Sequence, residues 1–123
     1  MKRGIVLLIL LVASTLSYVQ AAKADYFVGK WNVEIKGTPG GDSKLVVTLV
    51  RKEGKLTGTV YSEADGTKDV KEVEEDGNSL KVFFKHGWFT VELLMNKKDE
   101  NHCSAKMADR YDGACARNLA DSE

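Results

Sequence analysis

The sequence predicts an all-β protein, an antiparallel up-and-down barrel of eight strands. Three observations lead there. Apolar residues alternate with polar ones at period two in short runs. Turn signals rich in Gly, Asp and Asn recur roughly every ten residues, the spacing of an all-β domain. No stretch after the N-terminus keeps the helical 3.6-residue period over a useful length. Eight strands joined as successive hairpins close into a barrel without leaving exposed edges. A two-sheet sandwich is the competing arrangement, and the hairpin-by-hairpin order favours the barrel.

The first strand is Trp31, Val33 and Ile35 alternating with Lys30, Asn32, Glu34 and Lys36. Gly37-Thr38-Pro39-Gly40-Gly41-Asp42 ends it as a loop. Leu45, Val47 and Leu49 share one face of the second strand, with Val46, Thr48 and Val50 opposite. Lys52-Glu53-Gly54-Lys55 is a tight turn into the third, Leu56 to Tyr61, whose threonines suit a sheet surface. Ser62 to Gly66 turn the chain again. Val70 and Val73 lie three apart in Thr67 to Glu75, which suits a bulged strand or a short helix, and the flanking hairpins favour the strand. Asp76-Gly77-Asn78-Ser79 is a strong hairpin signal. Leu80, Val82 and Phe84 form one face of the fifth strand. Phe89, Val91, Leu93 and Met95 form one face of the sixth, after a turn at His86-Gly87. Asn96 to Asn101 reads as a polar loop. Cys103, Ala105 and Met107 begin the seventh strand, and Tyr111, Gly113, Cys115 and Arg117 share a face of the eighth.

The N-terminus stands apart. Lys2 and Arg3 precede nine consecutive apolar residues, Ile5 to Ala13, and Val19-Gln20-Ala21 supplies the small residues of a cleavage site. That is the pattern of a secretory signal peptide over residues 1–21, with a second cleavage site at Ala24. The apolar run is about half of the roughly 20 residues that span a bilayer. No cysteine follows either site, so the product is expected to be exported and soluble, periplasmic or secreted. Removal of 21 of the 123 residues leaves 102, residues 22–123, enough for one domain. Without Lys2 and Arg3 the charge is 16 basic against 18 acidic groups, net −2. Such a balance offers no footprint for nucleic acid, and nothing in residues 22–123 suggests membrane insertion.

Cys103 and Cys115 both lie in the exported part, where a disulfide is the default and a metal site or two free thiols are the alternatives. If the last hairpin turns near Asp109, each cysteine is six residues from the turn, and they oppose one another across adjacent strands. A bridge there closes a loop of 13 residues, worth on the order of 3 kcal/mol.

Gly29-Lys30-Trp31 at the start of the first strand resembles the Gly-x-Trp signature of the calycin superfamily, which groups lipocalins, fatty-acid-binding proteins and avidins. The stretches Gly29 to Pro39, Gly54-Lys55-Leu56-Thr57-Gly58 and Tyr111-Asp112-Gly113 before Arg117 are similar to small lipocalin-like proteins exported by Bacteroides-type bacteria. The resemblance implies a lipocalin-type barrel, with Trp31 plugging one end and Arg117 packed across its ring. A guanidinium on an indole gains roughly 0.5–2 kcal/mol.

The chain carries little that suggests catalysis. There is no Gly-x-Ser-x-Gly elbow, no zinc spacing and no phosphate loop, so neither an enzyme nor a cofactor is expected. His86 sits in a turn and His102 at a strand start. Glu72, Glu74, Glu75 and Asp76, with Lys68 and Lys71 nearby, read as a solvated strand and turn. Binding is the expected role, and the lining residues of a small apolar or amphipathic ligand are Val33, Ile35, Leu45, Val47, Leu49, Val60, Val82, Phe84, Val91 and Leu93. The same residues could equally fill the barrel as a core. Another expectation is a protein-binding module such as a periplasmic protease inhibitor, working through Ala22 to Val28, unless Tyr26 and Phe27 fold back beside Trp31. A third is a homodimer face of Val46, Val50, Tyr61, Phe83 and Trp88.

Overall fold

The computed structural model describes residues 25–119; the expected signal peptide and its cleavage sites lie outside them. Eight antiparallel strands close into a barrel in sequence order. They are β1 (Gly29–Thr38), β2 (Gly41–Lys52), β3 (Lys55–Ser62), β4 (Gly66–Asp76), β5 (Ser79–His86), β6 (Phe89–Asp99), β7 (His102–Met107) and β8 (Tyr111–Arg117). The wall closes where β1 meets β8, with Trp31 opposite Arg117 and Ile35 opposite Gly113.

Alternation sets the two faces. Trp31, Val33 and Ile35 on β1, Val47 and Leu49 on β2, Val82 on β5, and Leu93 and Met95 on β6 are inward and fully enclosed. These side chains come from both sides of the barrel and meet in its lower half, so that half is a packed core. Gly113 has a packing reason on the closing seam. A Cβ there would lie 2.1 Å from the Glu34 carbonyl oxygen and 2.8 Å from Ile35 Cδ1, so only glycine lets β8 approach β1 this closely.

Two segments differ from the sequence expectation. Residues 67–75 are a strand with a bulge between Val70 and Glu72, which accounts for the broken alternation of Val70 and Val73. Residues 96–99 are strand rather than loop: β6 pairs with β7 as far as Asp99 opposite His102, through an irregular register after Lys97. Pairing with β7, together with the Lys97 N–H donating to the Asn78 carbonyl at 2.8 Å, outweighs the low strand propensity of that Asn-Lys-Lys-Asp stretch.

The cysteines oppose one another as the hairpin arithmetic required, Cys103 against Cys115, about a turn at Ala108 and Asp109 with φ of 53° and 56°. The expected disulfide is not formed. Both are free thiols, each 1% exposed. The Cys115 Sγ lies 4.0 Å from the Ser104 carbonyl oxygen. The neighbouring Cys115 thiol pulls Cys103 down to about 7, helped by Tyr26 and the Arg117 charge. The Cys103 thiol, together with burial, pushes Cys115 up. In native protein, ultraviolet thiolate absorbance should rise by one thiolate with a midpoint near pH 7. In urea both thiols should titrate near the ordinary value of about 8.5. A native midpoint at or above that value would refute the lowering of Cys103 by its neighbours. No thiolate at all in urea would show the pair bonded in solution.

Candidate functional site

The two ends of the barrel are built differently. The turns β2–β3, β4–β5 and β6–β7 gather at one end together with residues 25–28. Trp31 lies there at 0% exposure. Its Nε1–H donates to the Phe27 carbonyl at 3.0 Å. The Arg117 guanidinium covers the indole, its Cζ 4.3 Å from the ring centroid. Arg117 also donates to the carbonyls of Val28 at 3.0 Å, Tyr26 at 2.8 Å and Glu100 at 3.1 Å. One side chain thus satisfies carbonyls from the N-terminal segment and from the β6–β7 turn. Gly29 has φ of 130°, and a Cβ there would stand 3.0 Å from Arg117 Nη1. The spacing of glycine and tryptophan therefore has a local cause: the glycine leaves room for the guanidinium that covers the tryptophan.

Tyr26 and Phe27 fold back onto this plug, with centroids 5.6 and 6.4 Å from the Trp31 ring. The Tyr26 hydroxyl bonds the Asp99 carbonyl and lies 3.6 Å from Cys103 Sγ. Burial and the Cys103 contact raise it above the ordinary phenol range. Arg51 finishes the closure, donating to Asp25 at 2.6 Å and to Glu75 at 2.9 and 3.3 Å. Those hydrogen bonds hold its guanidinium above its usual range.

The other end is open. The turns β1–β2, β3–β4, β5–β6 and β7–β8 rim a cup of about 900 Å³. Leu45, Val60, Phe84 and Val91 are four of the ten inward residues expected to contact a ligand, and they line this cup. The other six, Val33, Ile35, Val47, Leu49, Val82 and Leu93, lie beneath it in the filled core. The two readings of those residues therefore divide by height along the barrel. Met107 and Tyr111 complete the wall on β7 and β8.

The rim is polar. His86 Nδ1 and Asp65 Oδ2 meet at 2.6 Å, linking the β3–β4 turn to the end of β5. Asp42 accepts from Lys36 Nζ at 3.2 Å and from the Gly37 backbone N–H at 3.1 Å, and these bonds hold its carboxyl below the usual range. Trp88 stands at the tip of the β5–β6 turn, 87% exposed, with its ring edge-on to Phe89 at 5.6 Å. Comparisons with protein-family models, with curated proteins and with solved structures found no match to this chain.

Of the residues considered for a dimer face, Val46 and Tyr61 are cross-strand neighbours on the outer wall. Phe83 stands between Glu72 and Glu92, and Trp88 belongs to the rim, so the five do not form one patch. His102 bonds Asp99 at 2.8 Å on the outside of the closed end. No group of three or more His, Cys, Asp and Glu is arranged to hold a metal among the described residues. Sequence reasoning missed Lys68. It sits opposite Val60 in the β3–β4 pairing and lines the cup, rather than joining the solvated acidic stretch. The signal was present: Lys68 and Val70 share parity before the bulge, and Val70 is core-facing.

Proposed function

We propose that this chain is an exported, lipocalin-like binding protein that works without catalysis, holding a small apolar or amphipathic molecule in the open cup. The observation that carries this reading is the cup itself: about 900 Å³ with an apolar floor of Leu45, Phe84 and Val91 above a packed base. Small-molecule sites commonly enclose about 300–1,000 Å³ and combine apolar walls with a few polar groups. The Gly29, Trp31 and Arg117 arrangement supports the likeness to calycins, since it performs the end closure that the resemblance implies. The docked position of Tyr26 and Phe27 favours ligand binding over insertion of the N-terminal segment into a partner's cleft.

N-phenyl-1-naphthylamine, a neutral apolar dye that brightens on leaving water, tests the reading. The full chain expressed for export and purified from the medium or periplasm should bind one dye per monomer, saturably, with micromolar affinity. Linear, unsaturable fluorescence would overturn the proposal.

A further inference from the structure

We infer that Cys103 and Cys115 together form a binding site for a soft monovalent metal ion, copper(I), held between two thiolates inside the closed end of the barrel. The pair lies apart from the cup, and the site does not depend on what the cup binds.

The register brings the donors together. Cys103 and Cys115 are direct partners on β7 and β8. Directly opposed residues of antiparallel strands have Cα atoms about 4.5–5.5 Å apart and side chains on the same face. Both cysteines belong to the core, each 1% exposed. The rest of the fold gives the two sulfurs only long contacts. Cys115 Sγ lies 4.0 Å from the Ser104 carbonyl oxygen, and Cys103 Sγ lies 3.6 Å from the Tyr26 hydroxyl. Two polarisable donors therefore adjoin in a dry interior.

The donor set selects the ion. Thiolates favour soft cations such as copper(I), along with zinc and iron–sulfur clusters. Zinc and the clusters ask for four ligands. No third His, Cys, Asp or Glu joins the pair in a metal-holding group among the described residues. His102, next to Cys103 in sequence, is turned to Asp99 at 2.8 Å. Copper(I) is stable with two sulfurs in line. Binding turns two thiols and one copper(I) into an S–Cu–S unit of net charge −1 and releases two protons, with no change of oxidation state. A buried negative charge needs a cation close by. Arg117 supplies it: its charge acts on Cys103, and its guanidinium stands 5.4 Å from the Tyr26 ring centroid. Lys97 Nζ is over the same ring at 4.5 Å. The nearby Asp99 carboxylate is held by His102. The way in is past Tyr26, which is only half-buried and lies against Cys103. Metal-bound sulfurs are not free to join one another, so the ion and a disulfide exclude each other at this pair.

The test uses the exported chain, reduced, freed of reductant and kept without oxygen. Copper(I), added as its acetonitrile complex, is titrated against the coloured competitor bicinchoninate. One copper per chain should bind, with thiolate-to-copper absorbance in the ultraviolet. X-ray absorption should show two sulfur neighbours and no nitrogen. Cys103→Ser and Cys115→Ser should each weaken binding about hundredfold or more, since one sulfur remains. His102→Ala should leave the affinity unchanged, and a loss there would put an imidazole in the site and refute the two-sulfur assignment. Zinc at equal concentration should not displace the copper, and displacement would mean further ligands and refute it too. Copper that binds both serine variants as well as the native chain is adventitious and overturns the proposal, as does no uptake at all. Protein purified without reductant that shows no thiol in urea has its sulfurs joined, which also overturns it. Thermal melts accompany each variant. If the serine variants fail to fold, the sulfur count in the native protein decides, and fewer than two sulfurs refutes the site.

Discussion

Trp31→Ala should lose about 3–5 kcal/mol of folding free energy in a urea melt, the range for removing a large, fully buried aromatic side chain. Three losses add there. The indole leaves a cavity at the centre of the closed end. The Phe27 carbonyl loses the Nε1–H that it accepts at 3.0 Å. The Arg117 guanidinium loses the ring face that it covers at 4.3 Å. Domains of this size hold only about 5–15 kcal/mol in total, so the variant should sit near the edge of folding. Trp31→Phe separates the contributions: it keeps a ring and loses the N–H, and should cost about 1–3 kcal/mol through the unsatisfied carbonyl. A loss below about 1 kcal/mol for the alanine variant would show that the ring is not a plug.

The second large effect is expected at the other end. Leu45→Trp combined with Val91→Trp places two indoles on β2 and β6, strands that face one another across the barrel, at the level of the cup floor. Both native side chains border empty space, being 7% and 8% exposed, so the larger rings can extend upward into the cup. If they deny a ligand about 100 Å² of apolar contact, binding weakens by about 2.5 kcal/mol, or roughly sixtyfold. Dye titration reads the affinity and a urea melt reads the fold. Unchanged dye affinity in a stable double variant would place the dye outside the cup.

Much of the architecture was legible because period-two alternation and glycine-rich turns act locally. Trp31, Val33 and Ile35, or Leu80, Val82 and Phe84, declare their buried face within one strand. The Asp109 turn fixed the cysteine register by counting alone. What stayed hidden depends on distant partners. The sequence shows that Leu45 and Leu49 face inward, but not that one borders a cup and the other a packed core. That distinction depends on which side chains arrive at the same height from the seven other strands. Lys68 shares the parity of Val70, but the acidic stretch after the bulge drew it into a solvent-facing reading. The cysteines were placed correctly and joined wrongly, since proximity permits a bond and does not make one.

The closing seam has a kinetic side. Seven of the eight strand pairings join neighbours along the chain, and the eighth joins β1 to β8. Short hairpins find their register quickly, in about 1–10 μs each. Bringing Trp31 to Arg117 closes a loop of roughly 85 residues, and on the logarithmic scaling its length-dependent entropy is about 4 kcal/mol. Until that happens β1 and β8 each present an unpaired edge, which another unfinished copy of the chain could pair with. Gly113 and Arg117 sit at the one step that turns an open ladder of hairpins into a wall without ends. For a newly made chain, that step also ends the period during which it can join a neighbour's ladder instead of its own.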